Sequence, residues 1–142
     1  MLNTGASGAI PRTDDARMRQ HAELYYDEIR KTDSDVAKIA QNSGLTIEEI
    51  RIIKQHIFFN EYELDGIVQR FDASYDIAVS WQRLIEGKGL KDMDLVLLKH
   101  ELLEYNIMKE QNLLYPEAHA EATKTYNYAK YIKELDKREG IL

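Results

Sequence analysis

The sequence predicts a mainly α-helical protein of about six helices in one compact domain, with a short β-hairpin near residues 58–71. Three observations support this fold class. Apolar residues recur at the three- and four-residue spacing of a helix face through most of the chain. Capping residues precede these segments, and glycines follow several of them. An Asp-Gly dipeptide flanked by β-branched and aromatic residues marks the hairpin.

The size and composition suit one soluble domain. The chain has 142 residues, of which 44% are hydrophobic and 31% charged, enough to build and cover a single core. Its 19 basic and 25 acidic residues give a net charge of −6, which argues against broad attraction to nucleic acid or anionic membranes. The absence of cysteine excludes disulfides, thiolate metal ligands and a cysteine nucleophile. No apolar run approaches the roughly 20 residues that span a membrane.

The chain is predicted to divide near residue 12. Residues 1–12 show no helical periodicity and contain small and turn-forming residues, so we expect a linker or the edge of an expressed segment there. The same stretch is too polar and too short for a signal peptide. Residues 13–142 are expected to form the single helical domain.

The first three helices are predicted from capping residues and the apolar faces that follow them. The residues expected at their N-termini are Thr13 to Asp15, Asp33 or Ser34, and Thr46 with Glu49 as a capping box. Their inward faces comprise Ala22, Tyr25, Tyr26 and Ile29, then Val36, Ile39 and Ala40, and finally Ile50, Ile53 and Ile57. The second helix is expected to stop before Gly44, which has the position of a C-terminal cap.

The middle of the chain changes character. Asp65-Gly66 has the composition of a hairpin turn, with Tyr62, Leu64, Ile67, Val68 and Phe71 around it. After the hairpin, Asp72 is expected to cap a fourth helix that ends at Gly87 or Gly89. Trp81 has the spacing of a core residue in that helix.

The last two predicted helices carry the functional signal. Asp92 is expected to cap a fifth helix over about residues 92–110, and Pro116 suits the first turn of a sixth that runs through Leu135. The fifth helix contains the string His100-Glu101-Leu102-Leu103-Glu104, which has the form HExxE. A further histidine, His119, lies at the start of the sixth helix.

Helix geometry brings these polar residues together. Because residues four apart share a helix face, His100 and Glu104 are neighbours beside an apolar stripe. The short connection between the helices predicts antiparallel packing, which places His119 within about 3 Å of Glu104 along the helix axis. The same pairing places Tyr126 beside His100. Two imidazoles and one carboxylate are therefore predicted to converge.

Three interpretations fit this cluster. In the first, His100, Glu104 and His119 hold a divalent metal such as zinc, with a fourth position left for water. Glu101 is then the general base, although Glu104 stands where an HExxH peptidase has its second histidine. In the second, the two histidines are acid and base in a metal-free nuclease, with Tyr126 as a further catalytic residue beside them. In the third, the cluster is a hydrogen-bonded pair in a non-catalytic helical interaction module.

Two further histidines, His21 and His56, lack a partner at ligand spacing. They are predicted to be structural or exposed.

A set of residues in a fixed order over about residues 20–135 resembles a known bacterial module. The residues are Arg70-Phe71-Asp72, Trp81-Gln82-Arg83-Leu84, Asp94-Leu95, Leu98-Lys99-His100-Glu101, Glu104, Tyr115, Glu117-Ala118-His119 and Tyr126-Asn127. Together they resemble the C-terminal module of polymorphic toxins, of the Rhs and LXG types, and of some phage minor head proteins.

The resemblance implies a function and a setting. It implies that the chain is the toxic part of a larger secreted effector, delivered into the cytoplasm of a target cell in competition between bacteria. It also implies a cognate immunity protein as partner. From the net charge and the residues of the cluster, we expect no membrane partner and nucleic acid only as a possible substrate. The positions it points to are His100, Glu101, Glu104 and His119. The reaction is predicted from the cluster of histidines and glutamates alone, which favours a hydrolase.

Overall fold

A computed structural model describes residues 10–140, which form seven α-helices and one two-stranded antiparallel hairpin. In chain order the helices are α1 (Asp15–Lys31), α2 (Asp35–Ser43), α3 (Ile47–Lys54), α4 (Tyr75–Glu86), α5 (Asp92–Gln111), α6 (Tyr115–Thr125) and α7 (Tyr128–Arg138). A π-helical turn, Gln55–Phe59, continues α3, and strands β1 (Tyr62–Leu64) and β2 (Ile67–Gln69) follow it. The predicted fold class, mainly α with a short hairpin, is confirmed. Within residues 10–140, no helix has the length and apolarity needed to cross a membrane.

Local capping explains why the early helices begin and end where they do. The Asp14 carboxylate accepts the backbone N–H of Arg17 at 3.1 Å and starts α1. Thr46 and Glu49 form the predicted capping box, with reciprocal hydrogen bonds of 3.0 and 3.1 Å that start α3. Gly44 ends α2 with a φ of 81°, a conformation that costs glycine little because it has no Cβ.

The predicted caps of α4 and α5 are wrong by one or two residues. Ser74, rather than Asp72, caps α4, because its hydroxyl accepts a first-turn backbone N–H at 3.2 Å. Lys91, rather than Asp92, precedes the first residue of α5. The Asp94 carboxylate accepts the Lys91 N–H at 2.9 Å, so a first-turn side chain satisfies the helix start.

The predicted sixth helix is two helices in the structure. Tyr126 has an extended backbone, with φ −127° and ψ 97°, and separates α6 from α7. The side chain of Asn127 then accepts the N–H of Lys130 at 3.0 Å and caps α7. An asparagine that bonds to a nearby backbone N–H competes with helix continuation, which explains the break.

Buried side chains from α1 to α5 and the π-helical turn form the core. Its largest fully buried members include Trp81, Tyr26, Phe58, Ile29 and Leu98. The core also contains Asp35, which accepts hydrogen bonds from Lys54 Nζ at 2.9 Å and Trp81 Nε1 at 3.1 Å. Because these donors satisfy the buried carboxylate, the polar group joins α2, α3 and α4 without an unpaired charge.

The segment before α1 packs onto the domain where the structure describes it. Ile10 is 8% exposed, and the Arg12 guanidinium contacts Asp76 at 2.6 Å and Asp136 at 2.8 Å. These two ion pairs join the segment before α1 to both α4 and α7. Residues 1–9 of the predicted linker lie outside the described residues.

Helix α5 is the element on which the polar cluster is built. It packs against α3, α4, α6, α7 and the π-helical turn. Its buried positions include both apolar side chains and the polar residues Asp94, His100, Glu101 and Glu104. An apolar stripe with carboxylates and an imidazole inside it therefore faces the rest of the protein.

Candidate functional site

The hairpin of α5 and α6 brings the predicted site residues together. Asn112 ends α5 with a φ of 54°, and Pro116 lies in the first turn of α6, so the connection is short. His119 on α6 then contacts Glu104 on α5, while residue 126, just after α6, contacts His100. The contacts run in opposite chain directions, as antiparallel packing requires.

Glu104 lies at the centre of the cluster. Its Oε2 atom is 3.0 Å from His100 Nε2 and 2.8 Å from His119 Nδ1. The two imidazole nitrogens are themselves 3.3 Å apart. Glu104 and His100 are buried, whereas the His119 side chain is 47% exposed. The cluster is therefore closed on the core side and open towards solvent on the α6 side.

The backbone of Tyr126 orients His100. The Nδ1 atom of His100 is 2.9 Å from the carbonyl oxygen of Tyr126, so Nδ1–H donates to it and Nε2 faces the cluster. The carbonyl is available because the extended backbone at Tyr126 interrupts the helical hydrogen bonds. Tyr126 lies beside His100 as predicted, but the contact is made by its main chain and not by its phenol.

His56 is part of the site, which the sequence did not indicate. Its Nε2 lies 2.7 Å from Glu104 Oε1, and its Nδ1 lies 2.6 Å from the hydroxyl of Tyr62. The Asn60 side chain donates to the same hydroxyl at 3.0 Å. The prediction that His56 is structural or exposed holds to the extent that this fully buried imidazole is hydrogen-bonded to the central carboxylate, but the sequence did not place it beside the candidate metal ligands.

Glu101 lies on the His56 side of Glu104. Its Oε2 atom is 3.7 Å from His56 Nε2 and has no hydrogen-bond partner within residues 10–140. Burial, and then the neighbouring Glu104 carboxylate, raises the pKa of Glu101 well above its ordinary value. Glu101 is therefore a buried acid that lacks a partner for one oxygen.

The electrostatic environments of Glu104 and His119 are complementary. Burial alone would raise the pKa of Glu104, but hydrogen bonds from three imidazoles outweigh it and hold the pKa well below its usual range. The hydrogen bond to Glu104 raises the pKa of His119, and burial opposes this only in part. The cluster thus favours an ionised carboxylate and a cationic partner.

Aromatic rings cover the cluster between the hairpin and α6. Phe71 packs against His56, Tyr62 and Tyr115, with ring centroids 5.4, 5.3 and 4.8 Å apart respectively. The Tyr115 ring also lies 5.3 Å from that of His119. These rings limit access of water to the cluster from that direction.

The clustered histidines and glutamates, all buried except His119, can hold a metal ion. One group comprises His100, Glu104 and His119, and a second comprises His56, Glu101 and Glu104. In each group the ligand atoms lie within 4.8 Å of one another. The predicted metal ligands are thus brought together, and the predicted base Glu101 lies in the second group.

No protein family matches the chain, and searches of curated proteins and of solved structures find no match.

Proposed function

We propose that this protein is a metal-dependent hydrolase whose divalent cation is held by His100, Glu104 and His119. The observation that carries the proposal is the convergence of two imidazole nitrogens and one carboxylate oxygen at separations of 2.8 to 3.3 Å. Ligands bound to zinc at about 2.0–2.1 Å in a tetrahedral arrangement lie about 3.3 Å apart. The three atoms therefore fit one ion with little movement.

The hydrogen bonds behind the cluster also support a metal. His100 gives its Nδ1–H to the Tyr126 carbonyl, which leaves the lone pair of Nε2 for an ion. Metal-bound histidines commonly carry such a bond on the second nitrogen. Without an ion, that lone pair would face the Glu104 carboxylate at 3.0 Å, whereas a metal between the two atoms would bind both.

The proposed chemistry is attack by a metal-bound water. Three protein ligands would leave a fourth position for water, and the half-exposed side chain of His119 gives solvent access to this side of the cluster. A divalent ion lowers the pKa of its bound water towards neutrality and polarises the bond under attack. The sequence assigns Glu101 as the base; it lies in the adjoining group with His56 and Glu104, and its Oε2 atom has no hydrogen-bond partner within residues 10–140.

The biological setting follows from the resemblance described above and is part of the proposal. A hydrolase carried by a secreted bacterial effector would act in the target cytoplasm, and the producing cell would need an immunity protein. In this setting, we expect the chain to harm bacteria that synthesise it without an inhibitor.

A metal-free nuclease is the second candidate. It is favoured by the raised pKa of His119 and by the 3.3 Å separation between the His100 and His119 nitrogens. Two neighbouring imidazoles can supply the acid and the base that phosphodiester cleavage needs. The two candidates differ in whether a chelator abolishes activity.

Metal content and toxicity together test the proposal. Protein purified without a His-tag should contain a divalent metal by elemental analysis. Its activity on RNA, DNA or peptide substrates should disappear with chelator and return with added metal. Induction in a bacterial cytoplasm should stop growth, and His100→Ala, Glu101→Ala and His119→Ala should relieve toxicity without changing the helical circular-dichroism spectrum.

The matched control is His21→Ala, which removes a histidine outside the cluster and should remain toxic. Variants that still kill would show that the site assignment is wrong. Activity that persists in chelator would favour the metal-free nuclease. A wild-type chain that is harmless and inactive would contradict both enzymes and favour an interaction module.

A further inference from the structure

A second set of ligand atoms lies directly against the first. His56 Nε2 is 2.7 Å from Glu104 Oε1 and 3.7 Å from Glu101 Oε2, and all three side chains are buried. Ligands bound at about 2.1 Å in adjacent positions lie about 3.0–3.4 Å apart, so small side-chain rotations bring these atoms to bonding distance of one ion.

Glu101 gives an independent sign that a ligand belongs here. Its side chain is 10% exposed, and its Oε2 atom has no hydrogen-bond partner in the described part of the chain. A buried carboxylate oxygen without a partner is costly, and native structures usually satisfy such groups with protein, water or an ion. The ionised Glu104 carboxylate lies beside this oxygen, so a cation that takes the place of the Glu101 proton suits this space better than a neutral donor.

Glu104 faces the two groups with different oxygens. Its Oε2 atom contacts His100 and His119, whereas its Oε1 atom contacts His56. A carboxylate with ligand sets on both oxygens has the arrangement of a bridge between two ions. Two-metal hydrolytic sites place their ions about 3.5–4 Å apart and use both to stabilise the attacking and leaving oxygens.

Tyr62 orients His56 for this role. The His56 Nδ1 atom lies 2.6 Å from the Tyr62 hydroxyl, whose oxygen can accept Nδ1–H. The Nε2 lone pair then faces the two carboxylates. The arrangement is the same as at His100, where one nitrogen is bonded to the protein and the other faces the cluster.

We propose that a second divalent cation binds between His56, Glu101 and Glu104, so that Glu104 bridges two metal ions. The inference rests on the proposed metal-dependent function and deepens it. Glu101 would then be a metal ligand, and the two cations would supply the activation of water that the sequence assigned to Glu101 as base. This site offers one nitrogen and two carboxylate oxygens, a harder ligand set than that of His100, Glu104 and His119. Such a set suits Mn²⁺ as well as Zn²⁺.

The number of bound ions tests the inference. The full chain, stripped with chelator and loaded with Mn²⁺ alone or Zn²⁺ alone, is desalted and analysed for metal per chain. Two ions per chain are expected, and the Mn²⁺ form should give the electron paramagnetic resonance spectrum of a spin-coupled pair. Glu101→Gln and His56→Asn should each bind one ion and lose the coupling.

Glu110→Gln is the matched control, since Glu110 is exposed on the same helix, and it should still bind two ions. One ion per chain in the wild type, with an uncoupled Mn²⁺ spectrum, would overturn the second site and leave the first intact. No bound ion would overturn the proposed function itself. The wild-type spectrum needs no variant, so a variant that fails to fold does not affect this test.

Discussion

The imidazole of His56 lies 2.7 Å from the carboxylate of Glu104, although 48 residues separate them in the chain. This contact joins the π-helical turn to the middle of α5. Since the other oxygen of Glu104 contacts the two remaining imidazoles of the cluster, one carboxylate is shared by three histidines from three parts of the fold. The stability and the chemistry of the site therefore both depend on Glu104.

Replacing Glu104 by Gln should both lower the stability of the protein and abolish metal binding. The amide keeps the shape but loses the charge, and its NH₂ group would face an imidazole or a metal. We expect loss of bound metal and a fall in the free energy of unfolding of about 2 kcal/mol in chelator, the scale of a buried hydrogen bond to a charged group. Urea unfolding and elemental analysis measure the two effects. Glu110→Gln on the exposed face should change neither, and a metal-binding Glu104→Gln variant would contradict the assignment.

The Tyr62→Phe variant should weaken the site although it replaces none of the proposed metal ligands. The change removes the hydroxyl that lies 2.6 Å from His56 Nδ1 and accepts from Asn60. We expect a loss of about 1 kcal/mol of stability in chelator and about a tenfold weaker affinity for metal, as for other residues that orient a ligand. Competition with a chromogenic chelator measures the affinity. Tyr131→Phe, on α7, is the control, and equal affinities in all three proteins would show that Tyr62 has no orienting role.

The stability gained from metal should increase with pH. The raised pKa of His119 means that its contribution to stability is complete below its ordinary pKa of 6.5 and is lost as pH rises through the raised value. The pKa of Glu101 is also raised, so this carboxyl binds its proton more tightly in the folded protein. Its contribution to stability therefore likewise declines as pH rises through its folded pKa. A metal takes the place of these protons and reverses the loss.

Thermal unfolding between about pH 5.5 and pH 8.5 measures this effect, because the range brackets an ordinary imidazole pKa. The difference in Tm between the metal-loaded and chelated protein should be smallest at the acidic end and grow towards the basic end. His119→Asn should flatten this dependence. A difference in Tm that stays constant over the range would mean that protons and metal do not compete for the cluster.

The sequence predicted those features that depend on neighbouring residues. Helix faces, the Thr46 capping box and the Gly44 stop are local, and so is the pairing of His100 with Glu104 at a spacing of four. His119 was found because a short connection between two helices has few geometries. The break at Tyr126 was missed because periodicity continues across it, and only the capping role of Asn127 indicates it.

The contribution of His56 was not predictable in the same way. Its partners come from β1 and α5, and no spacing rule links a residue after α3 to either of them. The orientation of the π-helical turn, Gln55–Phe59, decides which side chains point at Glu104. The placement of Glu101 depends on the same packing. Whether a side chain buried on α5 contacts a bound water or a second histidine depends on which element packs over it, and the sequence does not specify that element.

Replacing Tyr126 by Phe should leave the proposed activity nearly intact. The residue acts on His100 through its carbonyl oxygen, 2.9 Å from Nδ1, and the substitution preserves that oxygen. We expect metal affinity and hydrolysis within about twofold of the wild type. His100→Asn should lose both, because it removes the metal ligand that the carbonyl orients. Metal titration and the activity assay of the proposed function separate the possibilities. If Tyr126→Phe retained its metal but lost activity, the phenol would be a catalytic group, as the sequence suggested, and the main-chain contact would be only part of its role.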